Sequence, residues 1–532
     1  MFEVKSTDLA GRIGRLRTKS GILETPVLLP VIHPSNQTLS AGIIRDLGFH
    51  AVITNAYIAK NNCPKNSRKK GIHKTIGFDG IVMTDSGGYQ VLEYGDVNAS
   101  PESMTIFQED IDSDIAVVLD KPTGARISRK YAEKTVKETL KAAEKTLKTK
   151  SKRNILWVGP IQGGIHLDLV SQSAQEISRM DFDILALGSP TQIMKSYQFK
   201  LLSSMIIAAK KKIPVNMPLH LFGAGHPLTI PLAISLGCDL FDSASYMLYA
   251  RDDRYFTDSG TVKLEDLSYL ICTCPFCSSH SLKELLNLEK DKRIDAIALH
   301  NLHVLMKIVK ESKEAIREGR LWEYLGSKAR CHPRLWEAFR NLSEHIEYLE
   351  DGSPLFRSKA VFFAEPIDNV RPEVKHHRWR LEHNIELTKP VLLLLPEVEV
   401  RPFYRSPLYT AISKVLMERG NKVQVCFIVP TFGLIPLEIS DIYPLSQYEN
   451  SYKPDSYDDI SLAVNEDVEK IVNSNTINEI IILSDGVFSR NLVEKIKTKI
   501  PLSIVEAENG DFQKTIDKLI ETLVKIKPKP QE

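Results

Sequence analysis

No stretch of the 532 residues strings together the roughly 18 apolar residues that a membrane-spanning helix needs, which excludes a helical membrane protein. The N-terminus, MFEVKSTDLAGRIGR, lacks the apolar core of a secretory signal, so the expected location is the cytoplasm. Cysteine is scarce. The seven present are too few and too unevenly spread for a disulfide scaffold, and three of them crowd into residues 272–277, a spacing that points to a metal instead. An excess of one charge is also missing: 69 Lys and Arg against 67 Asp and Glu give a net charge of +2. A nucleic-acid partner would therefore have to be held by local basic patches rather than by the field of the whole chain. What remains is ordinary globular composition, 43% hydrophobic and 26% charged, at a length that predicts about two to four domains.

Apolar runs recur through the first half of the chain. After a hairpin over Arg12–Leu16 and Ile22–Pro26, strand-like segments lie at Val27–Val31, Ala51–Asn55, Ile81–Asp85, Ile115–Asp120, Ile155–Gln162, Ile184–Gly188, Leu219–Gly223 and Leu240–Asp242. Helical patterns separate most of them. Ala41–Leu47 has Ser40 as its cap and Gly48 as its stop. In Ser128–Lys150 the residues Ala132, Val136, Leu140, Ala143 and Leu147 make one apolar stripe opposite a lysine-rich face. Tyr197–Lys210 and Leu228–Leu236 fill two later gaps. Eight near-continuous apolar strands alternating with helices predict an α/β fold, a closed parallel (β/α)8 barrel, over an open doubly wound sheet. Such a barrel keeps its chemistry at the C-terminal strand ends. Those ends read Asp85, Asp120, Gln162, Gly188, Phe222 and Asp242. Any one of them could simply cap the next helix; six polar, small or aromatic residues on one rim predict a site.

Beyond the eighth strand, Cys272, Cys274 and Cys277 form a C-x-C-x-x-C run, and His280, His300 and His303 compete to supply a fourth ligand for a structural, tetrahedral zinc. The expected organisation is a catalytic barrel over 1–350 with a zinc subdomain near 265–305. A basic linker over 351–389 and an α/β domain over 390–532 follow. The linker contains Arg371–Arg380, whose cations and Trp379 suit phosphate contact and base stacking, or plain solvation. The last domain is expected to hold strands at Val391–Leu395, Val423–Val429, Glu479–Leu483 and Leu502–Val505. Its helices are expected at Tyr409–Arg419, Asp467–Val472, Ser489–Lys499 and Phe512–Ile526, with an Asp485-Gly486 turn and a basic tail.

Six motifs together resemble one family. They are MTDSGGYQ (Met83–Gln90), VLDKPT (Val118–Thr123), GPIQGG (Gly159–Gly164), HLFGAG (His220–Gly225), DLFDSASY (Asp239–Tyr246) and CTCPFC with a later His-Asn. They are similar, in order and over about the first 350 residues, to the tRNA-guanine transglycosylases, and DSASY resembles the archaeal branch. That resemblance implies replacement of guanine in the tRNA D-arm, at position 15, by 7-cyano-7-deazaguanine on the way to archaeosine. It implies Asp242 as nucleophile and Asp85 as general acid and base. Asp120 and Gln162 would read the polar edge of the base, Ser86 would help bind substrate, and the backbone at Gly188 and Ser189 would add hydrogen bonds. Tyr89 and Phe222 would sandwich the ring. Cys272, Cys274, Cys277 and His300 would hold one zinc, His300 being chosen because Asn301 follows it. A homodimer is implied as well. Ser189-Pro190 departs from the double glycine of bacterial relatives. Residues Ile435–Leu445 resemble the extra domains of archaeal members, but the basic RNA-binding module called PUA is not evident before Glu532, so a separate PUA-containing chain is an expected partner.

Three other readings compete. An archaeosine synthase-like paralogue would carry a Pro-Cys-Ser motif, where Arg401-Pro402-Phe403-Tyr404-Arg405-Ser406 lacks the cysteine. A tRNA-binding scaffold without activity would have little use for two rim aspartates facing an anionic polymer. A metal-dependent barrel hydrolase would rely on His220 and His226.

Overall fold

Three antiparallel strands open the chain: β1 (Phe2–Asp8), β2 (Gly11–Thr18) and β3 (Gly21–Thr25). The hairpin expected from the sequence is β2 and β3; β1 pairs with β2 as an unexpected third strand. Eight parallel strands then follow: β4 (Val27–Ile32), β5 (Ala51–Asn55), β6 (Ile81–Asp85), β7 (Ile115–Val117), β8 (Leu156–Ile161), β9 (Ile184–Leu187), β10 (Leu219–Leu221) and β11 (Leu240–Ser243). In this computed structural model they close into a barrel, β11 pairing back onto β4. The structure describes residues 2–62, 64–88, 99–125, 127–420, 422–451, 464, 466–468, 470–471, 477–484, 500–508 and 511–526.

Side chains alternate across each strand, so the inward series can be followed residue by residue. Ala51 and Ile53, Ile81 and Met83, Ile115 and Val117, Ile184 and Ala186, and Leu240 share one buried interior cluster. Continuing four of those series by two positions arrives at Asn55, Asp85, Gly188 and Asp242. The polar rim is the next layer of the barrel interior. Leu16 and Leu23 of the opening sheet join the same interior cluster. Arg12 of β2 binds Asp239 at 2.8 and 2.7 Å and donates to the Met217 carbonyl at 2.6 Å, which ties that sheet to the N-terminal ends of the strands.

Acids stand at both ends of the barrel, but they do different work. Asp114, Asp183 and Asp239 each directly precede a strand, and each accepts a backbone N–H from the neighbouring strand: Val82 at 2.7 Å, Trp157 at 2.9 Å and Leu219 at 2.8 Å. They satisfy donors that the ladder leaves over at its entry. The acids of the opposite end, Asp85, Asp120 and Asp242, face a cavity.

The helices follow the expected stripes. Arg129–Thr149 is capped by Ser128, whose hydroxyl accepts from Tyr131, and buries Ala132, Val136, Leu140 and Ala143 while Leu147 is half-buried. Ser40 caps Ala41–Asp46. His300 lies inside one long helix, Lys290–Glu318. No helix among the described residues is long and apolar enough to cross a membrane.

Residues Met1–Pro354 form one compact unit and Leu355–Glu532 a second. The second is built on a sheet in the order β17-β16-β15-β19-β20: β15 (Val391–Pro396), β16 (Val423–Val429), β19 (Glu479–Ser484) and β20 (Leu502–Glu506) are parallel, and β17 (Gly433–Pro436) is antiparallel at the edge. Leu393 and Leu395 enter one core, Leu392 and Leu394 the other, so β15 is covered on both faces. A short pair, β14 (Val361–Phe363) with β18 (Tyr448–Asn450), was not legible in the sequence.

The irregular basic segment expected within 351–389 is instead a helix, Pro372–His383, with Glu373, Val374, His377 and Leu381 buried. Its charge misleads because its first cation, Arg371, is spent internally. Arg371 is fully buried and donates to both carboxylate oxygens of Glu373 at 3.2 Å, Arg357 pairs with the same carboxylate at 2.8 Å, and His377 Nε2 is bonded to the Leu434 carbonyl. Trp379 is exposed between His376 and His383. The Asp485-Gly486 turn, the helix expected at Ser489–Lys499 and the tail from residue 527 lie outside the described residues.

Candidate active site

A cavity of about 500 Å³ opens at the C-terminal end of the barrel. Asp85, Asp120, Gln162, Gly188, Ser189, Phe222 and Asp242 all line it, together with Asn55, Tyr197, His226 and Arg251. Its volume and mixed lining are those of a small-molecule site. Asp85 and Asp242 close the inward series of β6 and β11, two strands kept apart in the ring only by β4 and β5. They reach one cavity because the interior of an eight-stranded barrel is only a few side chains across.

The three acids are held in different ways. Asp85 accepts from Asn55 Nδ2 at 3.0 Å. Burial, and then the charges of Asp120 and Asp242, push its carboxyl up to about 7. Asp120 is pushed up to about 6 by burial, against a hydrogen bond from Gln162 Nε2 that favours its ionised form. Asp242 has its Oδ1 bonded twice, by His220 Nε2 at 2.8 Å and by the Gly223 N–H at 3.0 Å. A carboxyl that titrates near neutrality can both give and take a proton at physiological pH. A carboxylate anchored through one oxygen presents the other.

The wall around Asp120 is assembled from backbone and amide groups at close range. Gln162 Oε1 accepts from the Thr123 N–H at 2.9 Å and from the Ser189 hydroxyl at 3.0 Å, which fixes the direction of its amide. A Cβ on Gly88 would stand 2.1 Å from Asp120 Oδ1, and one on Gly188 would stand 2.2 Å from Gln162 Nε2. Both positions must be glycine for these side chains to lie where they do. Ser189 sits at φ +64°, a conformation natural to glycine. Its Oγ accepts from the N–H groups of Thr123 and Gly124 at 2.9 and 3.2 Å, which compensates for the backbone strain. Ser189 therefore holds a glycine-like backbone conformation at this turn.

A second cluster lies outside the cavity. The ligand atoms of Cys272, Cys274, Cys277 and His300 all fall within 4.8 Å of one another. His300 Nε2 donates to the Phe256 carbonyl at 2.8 Å, so Nδ1 is left as a bare lone pair facing the Cys274 and Cys277 sulfurs at 3.7 and 3.5 Å. Tyr255 stacks on the imidazole with ring centres 3.5 Å apart, and the N–H groups of Cys274 and Cys277 point at the sulfurs of Cys272 and Cys274. Three sulfurs and an oriented imidazole in that space match the donor set of a closed four-ligand metal site. Of the two rival histidines, His280 is exposed and stacks on Phe276, and His303 is not part of the cluster.

The family model for queuine tRNA-ribosyltransferases matches residues 7–334, more than half of the chain. A tRNA-guanine(15) transglycosylase of Saccharolobus solfataricus is 43% identical over 475 residues, covering 87% of this chain and 93% of its own length. The enzyme of that name from Pyrobaculum aerophilum is 42% identical over 84% of this chain and 90% of its own. The Methanococcus aeolicus protein of that name is 38% identical over 89% of this chain and 72% of its own. The chain belongs to the tRNA-guanine transglycosylase family. It is accordingly a pentosyltransferase.

Seven of the transglycosylase residues expected at the site line the cavity. Ser86 does not: it is fully buried, and its hydroxyl donates to the Val118 carbonyl at 3.0 Å. Tyr89 lies outside the described residues. Two members were not singled out from the sequence. Asn55, at the end of β5, could have been found by applying the rim argument to every strand. His220 was noticed only as a conceivable metal ligand in a hydrolase; instead it meets Asp242. His226 packs edge-on against Tyr197, and the metal-type cluster found among the described residues does not include either histidine.

Proposed function

We propose that the chain exchanges guanine at position 15 of tRNA for 7-cyano-7-deazaguanine through a covalent ribosyl-aspartate. Asp242 attacks C1′ of the target nucleoside through its free oxygen. The C1′–N9 bond breaks with its electrons passing to the base, and Asp85 gives its proton to the departing guanine. The incoming base then loses its N9 proton to Asp85, N9 bonds to C1′, and the ester to Asp242 opens. The proton count closes over the two half-reactions, and no net oxidation occurs. Positive charge that develops at C1′ is stabilised by the facing carboxylate. Asp120 and the backbone near Gly188 and Ser189 take the polar edge of the base, with Phe222 against its ring. The target nucleotide must leave its stack to enter the cavity.

The observation that carries this reading is the pairing of two unlike acids in one cavity: Asp85 pushed up to about 7, and Asp242 held through one oxygen. Cys272, Cys274, Cys277 and His300 would hold a zinc ion whose shell is closed by protein, so that it orders the chain around β12 (Arg254–Thr257) and supplies no step of the exchange. The test uses tRNA transcript labelled in the guanine at position 15, incubated with the protein and 7-cyano-7-deazaguanine. Label should be released, and a tRNA–protein adduct should survive a denaturing gel. Release that persists in Asp242→Ala would overturn the nucleophile assignment.

A further inference from the structure

His220 is an anomaly in the barrel. It sits mid-strand in β10, opposite Ala186 on one side and Leu240 on the other, and both of those belong to the apolar interior cluster. Its side chain has no exposure to solvent. An imidazole in that layer is costly unless its polar atoms are used. One is: Nε2 lies 2.8 Å from Asp242 Oδ1. The other, Nδ1, is buried with no hydrogen-bond partner. This pattern assigns the tautomer. Nε2 carries the hydrogen that the carboxylate accepts, and Nδ1 keeps a bare lone pair, whereas a hydrogen on Nδ1 would be a buried donor with nothing to meet.

We infer that His220 is the positioning residue of the nucleophile. Together with the Gly223 N–H at 3.0 Å it occupies Oδ1 of Asp242 from two directions. Two donors to one oxygen fix both the rotation of the carboxylate and its plane, so Oδ2 is the oxygen that faces the cavity. The imidazole is itself immobile. It is held by the barrel interior from below, and the Phe222 ring lies against it with centres 4.6 Å apart. The second half-reaction uses the same contacts, because the oxygen that leaves C1′ regains its charge on a carboxylate that already has two hydrogen-bond donors in place. The inference rests on the proposed role of Asp242 and adds the device that aims it.

The test compares two amides. Glutamine at 220 can place its Nε2–H where the imidazole Nε2–H stands; asparagine is one carbon short and cannot reach Asp242. Adduct formation in a single turnover reads the attack, and tRNA affinity reads binding. His220→Asn should form adduct about a hundredfold more slowly with tRNA affinity changed by less than about twofold, and His220→Gln should recover most of the rate. If either amide fails to fold, His220→Phe fills the same apolar layer and should show the slow rate of the asparagine variant. Adduct formation by His220→Asn or His220→Phe at the wild-type rate would overturn the inference, as would a glutamine variant as slow as the asparagine one. Asp242→Asn is run beside them. If it still forms adduct, the proposed nucleophile itself is wrong; if it is inactive while His220→Asn is unimpaired, only the positioning role is lost.

Discussion

Replacing Asp85 with Asn should make the protein more stable at alkaline pH while abolishing exchange. The carboxyl titrates at about 7 in the folded protein against 3.8 for an ordinary aspartate. That gap of roughly three units corresponds to about 4 kcal/mol at most, at about 1.4 kcal/mol per unit. The sign follows from which state ionises first. Below the ordinary value both folded and unfolded chains hold the proton, and no penalty exists. As pH rises the unfolded chain releases it first, so stability is lost steadily until the folded group ionises near 7, and the loss is then constant. About 1.7 kcal/mol of the loss has accrued by pH 5, leaving about 2.5 kcal/mol to appear between pH 5 and pH 8. The substitution has its own cost. The Asp85 carboxyl accepts from Asn55 Nδ2 and from the Ser86 and Gly87 N–H groups, whereas an amide at 85 offers a single accepting oxygen, which costs about 1–2 kcal/mol regardless of pH. The difference between the two pH values is therefore the decisive quantity. Denaturant unfolding of both proteins at pH 5 and pH 8 measures it. The advantage of Asp85→Asn should grow by at least about 1 kcal/mol between them. An advantage that is the same at both pH values would show that Asp85 is not held in its protonated form by the fold.

The same electrostatics predicts that Asp120→Asn lowers the titration of Asp85, because Asp120 is the larger of the two charges that raise it. The alkaline limb of the pH–rate profile should move to lower pH, and an unmoved limb would remove Asp120 from that role. Arg12→Leu should cost about 3–5 kcal/mol by stranding the buried Asp239 at the far end of the barrel, with adduct chemistry unaffected in the folded fraction; a stability loss under about 1 kcal/mol would contradict it. Metal analysis should find about one zinc per chain, and Cys277→Ser should lose it together with a large part of the thermal stability, since binding to such a site is folding free energy. A metal-free variant that melts with the wild type would show the cluster to be ornamental.

The barrel was legible because its strands are buried on both faces and so announce themselves as apolar runs. The three-residue strands β7 and β10 begin where their apolar runs begin, at Ile115 and Leu219, and end two or three residues sooner than those runs. The rim was legible for a different reason: an acid that ends an inward-facing series, as in Ile81, Met83, Asp85, interrupts a pattern that burial otherwise enforces. What could not be read was pairing in three dimensions. His220 looks like one histidine of two near a glycine turn, and only the register of β10 with β11 sets its ring beneath Asp242. Arg371–Arg380 failed in the opposite direction. Its cations suggested a solvated or RNA-facing stretch, and its burial depends on Arg357 and Glu373 neutralising Arg371 within a folded unit. Local charge predicts exposure only where no partner is brought in from elsewhere.

The two ends of the barrel show how position alone separates stabilising acids from reactive ones. Asp239 meets Arg12 and the Leu219 N–H, so a buried cation and a backbone donor both face its carboxylate. Asp85, at the other end, has an amide, two backbone N–H groups and two other acids around it among the described residues. No gain in stability explains such an arrangement, because each added acid makes the others harder to ionise. It does produce carboxyls of unlike character within one cavity, one that exchanges a proton near neutrality and one anchored through a single oxygen. Under the proposed exchange that difference is the division of labour. The acid crowded by like charge carries the proton, and the acid fixed by His220 and Gly223 carries the ribose.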